Sequence, residues 1–155
     1  MKIEAHISRF LRAERGASLV ELAIVLPLLL LLLMGAVDFG RAFYLSMEVS
    51  GAAESGAEYG SLNPTDFTGM VGAAQAGAPN VANLAVATPG YGCECADGTA
   101  FSSNCSTVPS CPTNNLVYRV TVKTSANYTP LFPWPKIPSS MLLSDSVTMR
   151  AGSNQ

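Results

Sequence analysis

Four cysteines carry the densest chemistry in the 155-residue chain: Cys93, Cys95, Cys105 and Cys111 fall in one short stretch. Thiols gathered this way can oxidise in pairs, hold a metal or exchange disulfides. A bridge from Cys93 to Cys95 across one residue would be strained. Two pairings remain: 93–105 with 95–111, or 93–111 with 95–105. Each closes a loop of roughly ten to twenty residues, worth about 3 kcal/mol in chain-entropy terms. Zinc sites are usually built from paired C-x2–4-C knuckles, which these spacings do not provide. Thiol exchange at Cys93-x-Cys95 is the rival chemistry. The stretch GYGCECADGTAFSSNCSTVPSCP has almost nothing apolar to bury, so structural bridges suit it best.

Other residues offer less. His6 is the only histidine, which removes a Ser/His/Asp set and most acid–base or zinc chemistry. Glu54 and Glu58 share a helix face without a partner that would make them a catalytic pair, and read as a solvated edge. The run Gly69–Gly77 lacks the lysine of a phosphate loop. Nine bases against eleven acids form no basic patch, so no nucleic-acid partner is expected. The sequence implies no cofactor, no metal and no catalytic residue. The sequons at Asn104 and Asn127 read as chance.

A second constellation is Gly16-Ala17-Ser18-Leu19-Val20-Glu21, preceded by Arg15. A glycine, four residues and a glutamate inside otherwise apolar sequence is the pattern of a type III export signal, cut before the apolar run. Gly16 has no side chain to obstruct a protease, and the cut would free an α-amine on Ala17. Glu21 would lie about 6 Å along a helix from that amine. A carboxylate at the centre of a membrane helix costs about 2.5–3.5 kcal/mol, and less near the edge. Glu21 therefore either sits in the headgroup zone, or pairs with the Ala17 amine of a neighbouring subunit.

The element that must position these residues is a long apolar helix. From Ala17 to Val37 the only polar side chains are Ser18 and Glu21. Such a helix is about 31 Å long, the thickness of a hydrocarbon core. Only 13% of the residues are charged, against 48% hydrophobic, which excludes a disordered chain and makes an ordinary soluble domain unexpected. Lys2, Arg9, Arg12 and Arg15 precede the run, so the N-terminus is expected in the cytoplasm and the rest exported. A secretory signal cut near Gly35-Ala36, and a plain uncleaved anchor, are the other export readings.

The stretch RGASLVELAIVLPLLLLLLMGAVDFGRAFY, Arg15 to Tyr44, resembles the N-terminus of TadE-like proteins, pseudopilins of the tight-adherence (Flp, type IVc) pilus machinery. Arg15-Gly16, Glu21, Leu26-Pro27-Leu28 and Asp38-Phe39-Gly40-Arg41 carry the resemblance. YTPLFPWPKIPSSMLLSDSVTMR, Tyr128 to Arg150, is similar to the family's Pro-rich turn and closing strand. Leu22 stands where substrates of the pilus peptidase often have an aromatic. The resemblance implies a minor pseudopilin in the bacterial inner membrane, acting through helix packing and protein contacts. Its partners would be the membrane, other pilins and pseudopilins, pilus assembly proteins and a prepilin peptidase. An uncleaved, membrane-anchored periplasmic thiol-disulfide protein is the alternative.

The expected organisation is a leader over 1–16, a long helix over 17–61 with its span at 17–37, and an exported head over 62–155. The head holds a cysteine-rich loop at 91–112. The fold class is α+β: the long helix, a short helix and a small antiparallel sheet. Phe39, Ala42, Phe43, Ser46, Ser50, Ala53 and Ala57 form one uncharged helical strip, to pack on the head or on other pilin helices. Ser61-Leu62-Asn63-Pro64 ends the helix. Thr65 to Ala78 reads as a short helix with Phe67, Met70, Val71 and Ala74 on one face. Leu84–Val86, the alternation from Leu116 to Lys123, and that from Met141 to Met149 read as strands. Phe132 and Trp134 stand among prolines between the last two strands. They are either pegs into the head's own core or an exposed contact for a partner.

Overall fold

The computed structural model describes residues 14–105, 111 and 115–152, with side chains from Ser18 onward. Its elements are helices α1 (Glu14–Leu62) and α2 (Phe67–Gly77), then strands β1 (Ala85–Val86), β2 (Gly90–Cys95), β3 (Leu116–Tyr128) and β4 (Met141–Ala151). This is the expected α+β class. The chain divides after Gly40 into two units.

In the first unit α1 runs through Pro27 without interruption. Its side chains from Leu19 to Val37 are mostly exposed. Leu, Ile and Val dominate here, so nothing competes with the backbone for its hydrogen bonds and the helix holds.

The second unit begins at Arg41 and includes the rest of α1. There the helix changes character. Val49, Ala52, Ala53 and Ala57 are buried, as are Gly56 and Gly60. These small residues let other elements approach the helix backbone. A Cβ added at Gly56 would lie 3.0 Å from both the Ala74 Cβ and the Val122 Cγ1. Ala57, Met70, Ala74, Val120 and Val122 make the central cluster, with Tyr59, Tyr91 and Met149 packed on its edge. The uncharged strip expected on α1 is thus only partly the packing face. Ala53 and Ala57 are buried, while Phe43 and Ser46 stay exposed.

α1 stops at Leu62, where the Asn63 N–H bonds the Tyr59 carbonyl at 3.0 Å and Pro64 follows with no N–H to continue. Asp66 caps α2: its carboxylate accepts the Gly69 N–H at 2.9 Å and the Tyr59 hydroxyl at 2.7 Å. Met70 and Ala74 face the core as expected, whereas Phe67 remains exposed.

β3 is the axis of the antiparallel sheet. β1 and β2 pair in succession along one edge, and β4 pairs along the other from Tyr118↔Ala151 to Tyr128↔Met141. Val120, Val122, Thr124, Ala126 and Tyr128 alternate inward, as period two requires. Thr121, by contrast, faces the other way and meets Thr148 at 2.8 Å. β2 lies where a cysteine-rich loop was expected to start. GYGCEC is extended because β3 presents an open edge from Leu116 to Thr121, and Tyr91 stacks on Tyr118 at 5.9 Å.

β3 runs antiparallel to this part of α1. The Thr124 hydroxyl donates to the Val49 carbonyl at 2.7 Å, the Ser50 hydroxyl donates to Asp145, and the Gly152 N–H reaches the Ser61 carbonyl at 3.1 Å. At the other end the Arg41 guanidinium lies 5.8 Å from the centre of the Tyr128 ring.

Candidate functional site

Two places carry the sequence's chemistry: the apolar part of α1 and the cysteine cluster. Residues 1–13 lie outside the described residues, and so does most of the expected leader. Gly16 and Ala17 fall in the first turn of α1. Glu21 follows in the helix with an exposed side chain, as do nearly all the apolar residues after it. Among the described residues, α1 is the one helix long and apolar enough to cross a membrane, and none of its most apolar stretch is buried. A core helix of a soluble domain would bury this surface; here it is open to its surroundings.

The cysteines are set by β2. Residues two apart in a strand share a face, so Cys93 and Cys95 both point inward, and both are fully buried. Cys95 is bridged to Cys111 with its Cα atoms 5.4 Å apart. Of the two pairings left open by spacing, this bridge belongs to the one with 93–105. Cys93 and Cys105 are thiols. They come together because Cys93 forms a β-bridge with Ser102, three residues before Cys105. The Cys93 thiol donates to the Ser102 carbonyl at 3.6 Å. Burial first, then a hydrogen bond with the Cys93 thiol and its charge, push the Cys105 thiol up to about 12. A thiol held protonated in this way is a poor nucleophile.

Phe132 and Trp134 sit on the β3–β4 connection with Leu131 and Ile137 around them. Phe132 is exposed and Trp134 half-buried, and neither joins the head's core. Among the described residues, no group of three or more His, Cys, Asp or Glu side chains is placed to hold a metal.

Sequence reasoning missed the polar ties that bind the head to its helix. Ser50 to Asp145 and Thr124 to Val49 join residues far apart in sequence, and no local pattern marks them. Arg41 was visible only as part of the Asp38–Arg41 motif; its place over Tyr128 was not.

The single exposed apolar helix is consistent with a single-pass membrane protein. Residues 16–58 match the family model for TadE-like protein. The matched segment lies wholly within α1 and ends before α2 and the sheet. Comparisons with curated proteins and with solved structures found no match.

Proposed function

We propose that this chain is a minor pseudopilin that helps assemble a tight-adherence (Flp, type IVc) pilus by helix packing and protein contacts. The observation that carries the reading is the TadE-like match over residues 16–58. The exposed apolar helix supports it, since that surface needs lipid or other apolar helices around it. In this reading residues 1–16 are a leader, 17–37 span the inner membrane from a cytoplasmic N-terminus, and the head is periplasmic. Gly16, Ala17 and Glu21 serve a prepilin peptidase and subunit packing, the Cys95–Cys111 bridge is structural, and Cys93 and Cys105, thiols in this structure, form a second structural bridge on oxidation. No catalytic role is assigned to any residue.

The competing reading, a periplasmic thiol-disulfide exchanger, draws on the unbridged Cys93 and Cys105. Exchange requires an accessible thiolate. Cys93 is fully buried and the Cys105 thiol is held well above its ordinary range, so the assembly reading is preferred. Its test is complementation. Cells lacking this chain should lose pili, and the wild-type chain should restore them. A chain whose residues 18–37 are replaced by an unrelated apolar span should insert but fail to restore them. Normal piliation in the deletion strain would overturn the proposal.

A further inference from the structure

The β3–β4 connection combines exposed apolar side chains with a stiffened backbone. Leu131, Phe132 and Ile137 are 55%, 37% and 48% exposed. Pro130, Pro133, Pro135 and Pro138 restrict the chain around them. The Ile137 N–H closes a turn onto the Trp134 carbonyl at 3.2 Å, with Lys136 in the left-handed region at φ 69°. A loop that is already ordered loses little conformational entropy when it docks. Between Tyr128 and Ser144 the only charge is that of Lys136, and there is no acid.

Its position says what it docks on. β3 ends at Tyr128, beneath Arg41, so the loop emerges at the end of the head unit where the chain leaves for the apolar segment. Arg41 follows Val37 by four positions, and four residue steps reach at most about 14 Å in any conformation. Arg41 is therefore held near the end of the span. Phe43 and Tyr44 are exposed just beyond it on α1. Aromatic side chains with a neighbouring base are the residues that settle at the level of lipid headgroups.

We propose that the Pro130–Pro138 loop is a second membrane contact, resting on the extracytoplasmic surface of the bilayer. Leu131, Phe132, Trp134 and Ile137 enter the headgroup–acyl boundary, and Lys136 pairs with the phosphate of anionic phospholipid. The proposal rests on the reading of residues 17–37 as a membrane span.

Trp134 is the chain's only tryptophan, so its fluorescence reports on the loop directly. The full chain is reconstituted into vesicles of phosphatidylethanolamine and phosphatidylglycerol, and flotation on a density gradient tests the span separately. Phospholipid brominated near the glycerol end of its acyl chains should quench Trp134, with blue-shifted emission, while iodide on both sides of the bilayer should not. The double variant Phe132→Ser, Ile137→Ser should lose much of the lipid quenching with an unchanged melting temperature. Floating protein whose Trp134 is quenched by iodide alone overturns the loop contact and points to a protein partner. Protection from both quenchers overturns it too, and places the ring inside the head. Protein that does not float refutes the span, and the loop contact with it.

Discussion

Asp66 shows how much one exposed carboxylate can organise. It caps α2 through the Gly69 N–H and accepts the Tyr59 hydroxyl from the end of α1. The Gly69 bond first, and then the Tyr59 bond, hold its carboxyl below the ordinary 3.8. The same contact raises the Tyr59 phenol above 10.0. The stability supplied by ionised Asp66 is present above about pH 4 and lost as pH falls through the lower folded value. That supplied by neutral Tyr59 is present below about pH 10 and lost as pH rises past its folded value. Asp66→Asn keeps a good cap but cannot titrate, so acid melts of the full chain in micelles should lose part of their pH dependence. The rest should persist, because Asp97 and Asp145 are also lowered by their own hydrogen bonds, chiefly to Thr99 and Ser50. The cysteines give a second test at this scale. Replacing Cys95 and Cys111 together by serine should cost about 3 kcal/mol in urea unfolding, from a closed loop of this length. Thiol counting on protein purified without reductant should find none free if Cys93 and Cys105 also bridge; two free thiols would leave the pair reduced.

Glycine placement decides the element scale, because close packing and helix propensity pull in opposite directions. Glycine inside a helix costs about 0.5–1 kcal/mol relative to alanine. At Gly51 an added Cβ meets nothing within 4 Å, so Gly51→Ala should stabilise the chain by about that amount. At Gly56 the same atom would press on Ala74, Val122 and the Met70 carbonyl. Gly56→Leu should therefore destabilise by about 1–3 kcal/mol, read as a lower urea midpoint, and equal midpoints for the two variants would disprove this packing. These glycines also explain what could be read in advance. The period-two alternation in β3 and β4 and the capped helix at Asp66 are local signals, and both led to the right elements. The helical strip meets the head's core only at Ala53 and Ala57, because it counted uncharged residues. The true contact face is made of the smallest ones, including Gly56 and Gly60, whose value lies in the partner they admit. β2 was hidden for a related reason: GYGCEC has little strand character of its own and is extended by the edge of β3. The cysteine pairing followed the same limit, since spacing left two solutions. Only the strand, which turns Cys93 and Cys95 to one face and brings Ser102 back beside Cys93, distinguishes them.

At the scale of the whole molecule, one chain carries two surfaces with different needs: an apolar helix that must leave water, and a head with polar ties that can stay in it. In the proposed reading, processing links them. A cut between Gly16 and Ala17 would remove Lys2, Arg9, Arg12 and Arg15, leaving Arg41, Arg119, Lys123, Lys136 and Arg150 as the only side-chain bases. All five follow the span. The new Ala17 amine then becomes the only cation ahead of Arg41, and Glu21 the only carboxylate ahead of Asp38. Two isolated charges at a membrane edge are each costly, and pairing between neighbouring subunits relieves both. Glu21→Gln should accordingly leave insertion intact but weaken association between chains, seen as loss of crosslinked oligomers in native membranes. A bulky residue at Gly16 should block the cut by obstructing the protease. The deciding measurement is intact mass with N-terminal sequencing, on chain isolated from cells that contain a prepilin peptidase. A mature species starting at Ala17 is expected. Chains that all begin at Met1 would refute processing and leave the helix as an uncleaved anchor.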